Sequence, residues 1–144
     1  MHPKKFIEKI EEARIVAAIG RAEQGTSGEI RVSVSHRDRK DALVAARTRF
    51  LQLGMDRTPQ RNGVLIYLVP RAHTFAIWGD IAAHKACGEE LWKGIAARIS
   101  PRLKAGQISE AIEEAVREVG EVLARHFPRG SDGQNHLSDA VVRG

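Results

Sequence analysis

The polar residues with the best positions for chemistry lie at the ends of predicted strands. Glu29 opens an alternating segment, Asn62 precedes a continuous apolar run, and Asp80 follows a second, shorter apolar run. In open α/β sheets, ligands bind in crevices beyond strand ends, where loops converge. Carboxylate and amide oxygens are also the ligands that a hard cation such as Ca²⁺ prefers. We therefore predict Glu29 and Asp80 as the residues of a metal site, and calcium as the cofactor that the sequence suggests.

These residues also have a structural explanation that involves no ligand, and we favour it. Asp38 and Asp80 stand where helix N-caps are expected, and Asn62-Gly63 is a common turn dipeptide. The loops carry isolated carboxylates rather than the closely spaced Asp-x-Asp pattern of calcium loops. For Glu29, an ion pair with a neighbouring arginine is then the expected role.

Other arrangements of reactive residues are weaker evidence for a functional site. Asp80, His84 and Cys87 have helical spacing and, with His73, would offer zinc ligands, but Gly88 interrupts the helix at this point. Cys87 and His84 also lack a third group to orient them as a nucleophile and base. The chain contains no Gly-x-Ser-x-Gly elbow, no phosphate-binding loop and no Gly-x-Gly-x-x-Gly. We therefore predict no catalytic residue.

The continuous apolar run from Val64 to Val69 predicts the central element of the fold. A strand with one solvent-facing side would alternate, so this run predicts a strand buried on both faces. The apolar run from Thr74 to Trp78 follows after a link of hairpin length, which predicts an antiparallel pair. A strand buried on both faces needs a layer on each side. We therefore predict a three-layer α/β/α sandwich, with a small mixed β-sheet covered by helices on both faces.

Helical periodicity accounts for most of the remaining chain. Apolar residues recur at intervals of three and four positions, with charged residues between them. Gly88 is predicted to interrupt one helical segment, and Ser100-Pro101 to kink or restart it, because proline lacks the N–H that an internal helical residue donates. The predicted helices cover about residues 3–23, 39–54, 81–105 and 108–127.

One alternating segment completes the predicted sheet. Residues 29–35 alternate, which predicts a strand near a sheet edge with Arg31, Ser33 and Ser35 on a solvent-facing side. In this scheme residues 1–128 form a single domain, and residues 129–144, which are rich in Gly, Ser, Asp and Asn, form a flexible C-terminal tail.

Charge and cysteine usage limit the partners and the compartment. The net charge of +5 arises from 23 basic and 18 acidic residues that are interspersed, so the excess is expected to be diffuse. Nucleic acid is not an expected partner, because no basic patch is interleaved with exposed aromatic residues. The locally basic positions that would contact it in a weaker alternative are Arg37, Arg39, Lys40, Arg57 and Arg61.

A cytoplasmic protein without membrane contact is expected. The chain has a single cysteine, Cys87, which fits a reducing compartment and rules out an internal disulfide. The N-terminal segment has no apolar core of the kind that secretory signals contain. No window approaches the roughly 18 apolar residues that a membrane-spanning helix requires.

The order of these motifs resembles the TPM-domain family, which includes thylakoid acid-phosphatase-like proteins linked to photosystem II repair. The resemblance covers about residues 5–127, and the chain looks like a soluble bacterial member without a signal peptide or membrane anchor. It rests on Thr26-Ser27-Gly28-Glu29-Ile30, Arg61-Asn62-Gly63-Val64-Leu65-Ile66, Trp78-Gly79-Asp80, and Ile99-Ser100-Pro101-Arg102-Leu103-Lys104-Ala105-Gly106.

The resemblance implies an α/β/α sandwich and leaves two functions open. Weak acid phosphatase activity, calcium binding and protein-assembly roles are all associated with the family. Because the loops lack the carboxylate density of a metal-assisted hydrolase, the favoured hypothesis is a non-catalytic module that binds an unknown protein partner. The alternative is a cation-dependent, acid-phosphatase-like hydrolase that acts on phosphate esters.

Overall fold

The computed structural model describes residues 11–35, 37, 40–129 and the backbone of 142–143. Within these residues, a four-stranded mixed sheet has helices on both faces. The helices are α1 (Glu12–Glu23), α2 (Ala42–Gln52), α3 (Ile81–Cys87), α4 (Glu89–Lys104) and α5 (Ile108–His126). The strands are β1 (Ile30–Val34), β2 (Val64–Val69), β3 (Thr74–Gly79) and β4 (Val142–Arg143). Two short 3₁₀ helices are Met55–Arg57 and Pro70–Ala72.

The sheet has the strand order β3-β2-β1-β4. The β2–β3 hairpin is antiparallel, as predicted, and places Val64 opposite Gly79. β1 runs parallel to β2, with Ile30 opposite Val64, and β4 runs parallel to β1. All six residues of β2 are buried, which confirms that this strand is covered on both sides.

Two hydrophobic clusters lie on opposite faces of the sheet and confirm the predicted sandwich. The larger cluster joins the sheet face that carries Val32 and Ile66 to the buried faces of α1, α4 and α5. The smaller cluster joins the face that carries Leu65 and Tyr67 to α2 through Phe50. The alternation of side chains along β2 thus divides its residues between the two cores.

The second face of β1 is not exposed to solvent, contrary to the prediction. Ser33 and Ser35 are both fully buried, and Arg31 is partly buried. The strand register places Arg31 beside Leu65 and Ser33 beside Tyr67, on the face of the sheet that α2 covers. The polar pattern of β1 therefore marks polar residues inside the fold rather than a wet face.

The ends of the helices show which residues start and stop them. Asp41 caps α2, because its Oδ1 accepts hydrogen bonds from the N–H groups of Leu43 and Val44. The predicted cap, Asp38, lies outside the described residues. Gly88 separates α3 from α4 as predicted, with a φ of 86° that favours glycine.

The predicted restart at Ser100-Pro101 is wrong, because α4 continues through Pro101 to Lys104. Ile99 and Leu103 are buried on either side of the proline and hold both turns against the core. The helical pattern also resumes at once, since the N–H of Ala105 donates to the Pro101 carbonyl at 3.1 Å. Packing on both sides thus outweighs the loss of one internal hydrogen bond.

The two ends of the chain are only partly described. The predicted helix over 3–23 is present from Glu12 onward, and its first part lies outside the described residues. Most of the predicted tail over 129–144 also lies outside them, apart from residue 129 and the two residues of β4. Among the described helices, none combines the length and the apolar character that crossing a membrane would require.

Candidate functional site

Three loops meet at one end of the sheet, where β1 and β2 begin and β3 ends. The N–H of Val64 donates to the carbonyl of Glu29, and the N–H of Asp80 donates to the carbonyl of Gly63, both at 2.8 Å. The sheet thereby brings the predicted residues Glu29, Asn62 and Asp80 to one region. This is the amino end of the parallel strands, whereas the ligand crevice of open α/β sheets lies at their carboxyl end.

Asp80 is the most constrained carboxylate in this region. Arg61 holds it with two hydrogen bonds, from Nε to Oδ2 at 2.6 Å and from Nη2 to Oδ1 at 2.9 Å. The same Oδ1 accepts the N–H of Ile81 at 2.8 Å, so Asp80 is the N-cap of α3, as predicted. The hydrogen bond that Arg61 donates to Asp80 raises the pKa of the Arg61 guanidinium. The buried carboxylate is therefore already paired with a cation from the chain.

The Arg61–Asp80 ion pair was not predicted from the sequence. The two residues are 19 positions apart, but they flank the two outer ends of one hairpin. Since Val64 lies opposite Gly79, the residues just outside the hairpin must face each other. The register of the β2–β3 hairpin would have been enough to predict the Arg61–Asp80 pair.

A small polar network lies beside the ion pair. Ser27 Oγ donates to Gln60 Oε1 at 3.0 Å, and Asn62 Nδ2 donates to Ser27 Oγ at 3.2 Å and to Gln60 Oε1 at 3.4 Å. Asn62 is buried, so its amide is satisfied inside the protein rather than by solvent. The side chain of Asn62 thus links the loop before β2 to the loop before β1, in addition to its predicted place in a turn.

The Thr26-Ser27-Gly28 segment anchors the loop before β1 to the end of α5. Thr26 Oγ1 donates to the carbonyl of Phe127 at 2.5 Å and accepts the N–H of Gly28 at 3.0 Å. A Cβ atom on Gly28 would lie 3.0 Å from Leu123 Cδ1 and 3.2 Å from the carbonyl oxygen of Asn62. Close packing therefore explains this part of the motif.

Glu29 and Asp80 remain predicted metal ligands. Both side chains are buried at the same end of the sheet. Calcium takes six to eight oxygen ligands, and the described residues contain no group of three or more His, Cys, Asp or Glu side chains that could hold a metal ion. A cation at this position would therefore also need oxygens of uncharged groups, and Asn62 and Ser27 carry such oxygens at the same end of the sheet.

The zinc and thiol alternatives are not supported by the positions of their residues. His84 is exposed on α3, and Asp80 is used as the cap and as the partner of Arg61. His73 lies at the other end of the six-residue strand β3, roughly 24 Å from Asp80 at about 3.4 Å per residue. Burial raises the pKa of the Cys87 thiol, which is the opposite of what a nucleophile needs.

The positive charge of the protein is concentrated rather than diffuse. Eight basic and three acidic side chains lie between residues 31 and 61, a net charge of +5 that equals the charge of the whole chain. In the other helical layer, charges of opposite sign are paired: glutamates of α5 form ion pairs with Arg14, Arg98 and Arg102. The excess charge therefore lies on β1, on α2 and on the loops beside them.

The fold and the strand-end loops define an α/β/α domain of the TPM type. The family model for the TPM domain matches residues 1–122, so the chain belongs to the TPM-domain family. The chain is similar to the BA42 protein from the psychrophilic bacterium Bizionia argentinensis, whose structure was determined by NMR. That similarity has 34% identity and a TM-score of 0.84, and it covers 93% of this chain and 92% of that one.

A more distant structure shows the same fold. It is the N-terminal domain of a protein from P. gingivalis, solved by solution NMR, with 18% identity and a TM-score of 0.58 over 80% of this chain and 72% of that one. At this level of identity the similarity concerns the fold alone. No curated protein matches the sequence.

Proposed function

We propose that this TPM domain is a non-catalytic protein-interaction module that binds an acidic protein surface through α2. The observation that carries the proposal is a pair of exposed apolar side chains on this helix, Val44 with 59% and Leu51 with 51% of its surface accessible. They are seven residues apart and so lie on the same side of the helix, two turns from each other. Burial of each side chain would contribute about 1.5–3 kcal/mol to binding.

The surroundings of these two side chains favour an acidic partner. α2 contains Arg47 and Arg49 and no acidic residue, and Lys40 lies just before its cap. The Arg47 guanidinium lies 5.8 Å from the centre of the Trp78 ring, which holds this charge against the surface beside the apolar pair. Apart from Asp41, which caps the helix, the charges around this apolar centre are positive, and such a surface selects partners of the opposite sign.

The strand-end loops support the non-catalytic part of the proposal. The Asp80 carboxylate is engaged by Arg61 and by the N-terminus of α3, so it is not free to bind a cation or activate water. A phosphatase needs a cation clamp or a covalent nucleophile for the phosphoryl group. The residues at this end of the sheet stabilise three loops instead.

A photo-crosslinking amino acid at position 48, between the apolar side chains, tests the docking surface. We expect it to capture an acidic protein in a lysate of the source cells, whereas the same group at position 97, on the exposed side of α4, does not. With the captured protein purified, Val44→Ser and Leu51→Ser together should weaken the Kd at least tenfold, which corresponds to about 1.4 kcal/mol. The affinity should also fall as NaCl is added.

Leu91→Ser is the matched control, because Leu91 is a partly exposed leucine, 37% accessible, on α4. It should leave the affinity unchanged. Equal weakening by Leu91→Ser, or capture at position 97 as strong as at position 48, would contradict docking through α2.

A second candidate function rests on the convergence of Glu29, Asn62 and Asp80 at one end of the sheet. If the Arg61 side chain, which is partly exposed, moved away, the two carboxylates and the Asn62 amide would offer oxygens to calcium. A cation held there would support hydrolysis of phosphate esters. This candidate requires Glu29 and Asp80 to act as the metal ligands.

Calcium titration separates the two functions. We expect calcium to leave the Tm of the protein unchanged, because Arg61 already satisfies both oxygens of Asp80. A real site with calcium at about 100 times its Kd would instead add about 2.7 kcal/mol to the free energy of unfolding. Differential scanning fluorimetry and hydrolysis of p-nitrophenyl phosphate provide the two measurements.

Asp80→Asn provides the control for this titration, since an asparagine still caps the helix while the negative charge is lost. A calcium-dependent rise in Tm that disappears in Asp80→Asn, together with phosphatase activity, would reject the non-catalytic proposal in favour of the hydrolase.

A further inference from the structure

Two arginines contribute to the layer between the sheet and α2, and neither forms an ion pair with a carboxylate among the described residues. Arg31 is on β1 and Arg49 is on α2, and the Nε atom of each is buried without a hydrogen-bond partner in the part of the chain that the structure describes. Burial, and next the positive charge of Arg49, lower the pKa of Arg31. Within the same part of the chain, no carboxylate forms an ion pair with either guanidinium. Placing two like charges together in this way is unfavourable unless something neutralises them.

A buried hydroxyl group lies on the same face of the sheet. Ser33 is 0% exposed, and its Oγ has no hydrogen-bond partner among the described residues. Ser33 and Arg31 are two positions apart on β1, so both side chains point toward the α2 layer. Within the described structure, three buried donor atoms of this layer therefore have no hydrogen-bond partner: the Nε of Arg31, the Nε of Arg49 and the Oγ of Ser33.

Space for a ligand lies beside Arg49. Ser33 and Arg31 do not line this space themselves, and Ser33 is connected to it through its cross-strand neighbour Tyr67. Tyr67, the neighbour of Ser33 across the β1–β2 pair, and Arg49 line a cavity of about 360 Å³ between α2 and the sheet. Thr48 and Gln52 also line it, and Gln52 Oε1 accepts one hydrogen bond from Arg49 Nη1 at 3.3 Å. The acidic residue of this cavity, Asp41, lies eight positions before Arg49, at the far end of α2, where it caps the helix.

We propose that Arg31, Arg49 and Ser33 form a binding site for an oxyanion, and that a phosphate group is its ligand. Guanidinium N–H groups form strong, directional bonds with phosphate oxygens, and the serine hydroxyl adds a third donor. The bound charge would neutralise the two arginines. The site lies on the α2 face of the sheet and does not include the strand-end loops, and it does not depend on the proposed docking of a protein.

The Tm values of charge variants, measured in chloride and in phosphate, test the proposal. In chloride buffer, Arg49→Gln should leave the Tm unchanged or raise it, because one of two repelling charges is removed. At equal ionic strength, sodium phosphate should raise the Tm of the unaltered protein to a plateau and have at least tenfold less effect on Arg49→Gln. Arg47→Gln, with the same charge change two residues away on α2, should respond to phosphate like the unaltered protein.

NMR locates the ligand and identifies its source. The Nε–Hε resonances of Arg31 and Arg49 should shift in a saturable way with inorganic phosphate, and the Kd should rise at least fivefold in Ser33→Ala. Phosphoserine shifting the same signals with a lower Kd would assign the site to a phosphate carried on a larger molecule, and a lower Kd for inorganic phosphate would assign it to the free ion. Either result supports the site.

Three results would overturn it. One is the absence of any phosphate-dependent shift at the two Nε–Hε groups, as expected if a carboxylate of the chain already binds them. Another is an equal loss of the phosphate effect in Arg47→Gln, which would indicate general screening of surface charge. The third is a large fall in Tm for Arg49→Gln in chloride, since the arginine would then stabilise the fold without a ligand.

Discussion

Replacing Phe50 with alanine lowers the free energy of unfolding by about 3–5 kcal/mol, the largest single effect that we expect in this protein. Phe50 is almost completely buried and is the largest side chain that α2 contributes to its cluster with the sheet. That cluster is much smaller than the one on the opposite face, so few neighbours can move to fill the space. Urea denaturation followed by circular dichroism measures the change.

Leu51→Ala is the matched control for this prediction. Leu51 is the next residue on the same helix, but half of its surface is exposed, so its truncation should change stability by less than about 0.5 kcal/mol. A comparable loss in both variants would mean that α2 packs with a different face toward the sheet. The docking surface that includes Leu51 would then have to be abandoned as well.

Gly120→Ala should destabilise the protein, although alanine is normally the better helix former. A Cβ atom at this position in α5 would lie 2.7 Å from the Cβ and 3.3 Å from the Cα of Ala22 in α1. Neither atom belongs to a flexible side chain, so the two helices would have to separate. Overpacking of this kind costs about 1–3 kcal/mol. After the gain in helix propensity of about 1 kcal/mol, we expect a net loss of up to about 2 kcal/mol.

For Gly94, the glycine inside α4, we expect the opposite effect of alanine on stability. Gly94 lies inside α4, and a Cβ atom added there would meet no described atom from outside its own stretch of helix within 4 Å. Gly94→Ala should therefore raise the free energy of unfolding by about 0.5–1 kcal/mol through propensity alone. If Gly120→Ala were also stabilising, α1 and α5 would not be in contact as closely as the structure shows.

The two glycines illustrate what a sequence pattern can predict. Both occur within amphipathic helices, and periodicity places Gly120 on the apolar face of its helix and Gly94 on the polar face. How much space an added methyl group would find at Gly120 depends on Ala22, which is 98 positions away along the chain. Helix identity is a local property that periodicity reveals, whereas the tolerance for one methyl group depends on which helix packs there.

The same distinction applies to the candidate sites. The convergence of Glu29, Asn62 and Asp80 was predictable, because strand ends must come together once the strands pair. That Asp80 is bound by Arg61 required the hairpin register in addition. The proposed oxyanion site was not predicted at all, because the alternation of β1 suggested an exposed polar face.

What the sequence by itself determined is the set of elements: a strand buried on both faces, its hairpin partner, and helices on either side. These follow from hydrophobic periodicity, which each segment carries locally. The tertiary structure alone decided which polar groups are buried together, because that depends on contacts between distant segments. It turned the predicted solvent face of β1, with Arg31 and Ser33, toward the α2 layer that also contains Arg49, and neither arginine has an ion-pair partner among the described residues. It also placed a cation from the chain on the carboxylate that we expected to bind a metal.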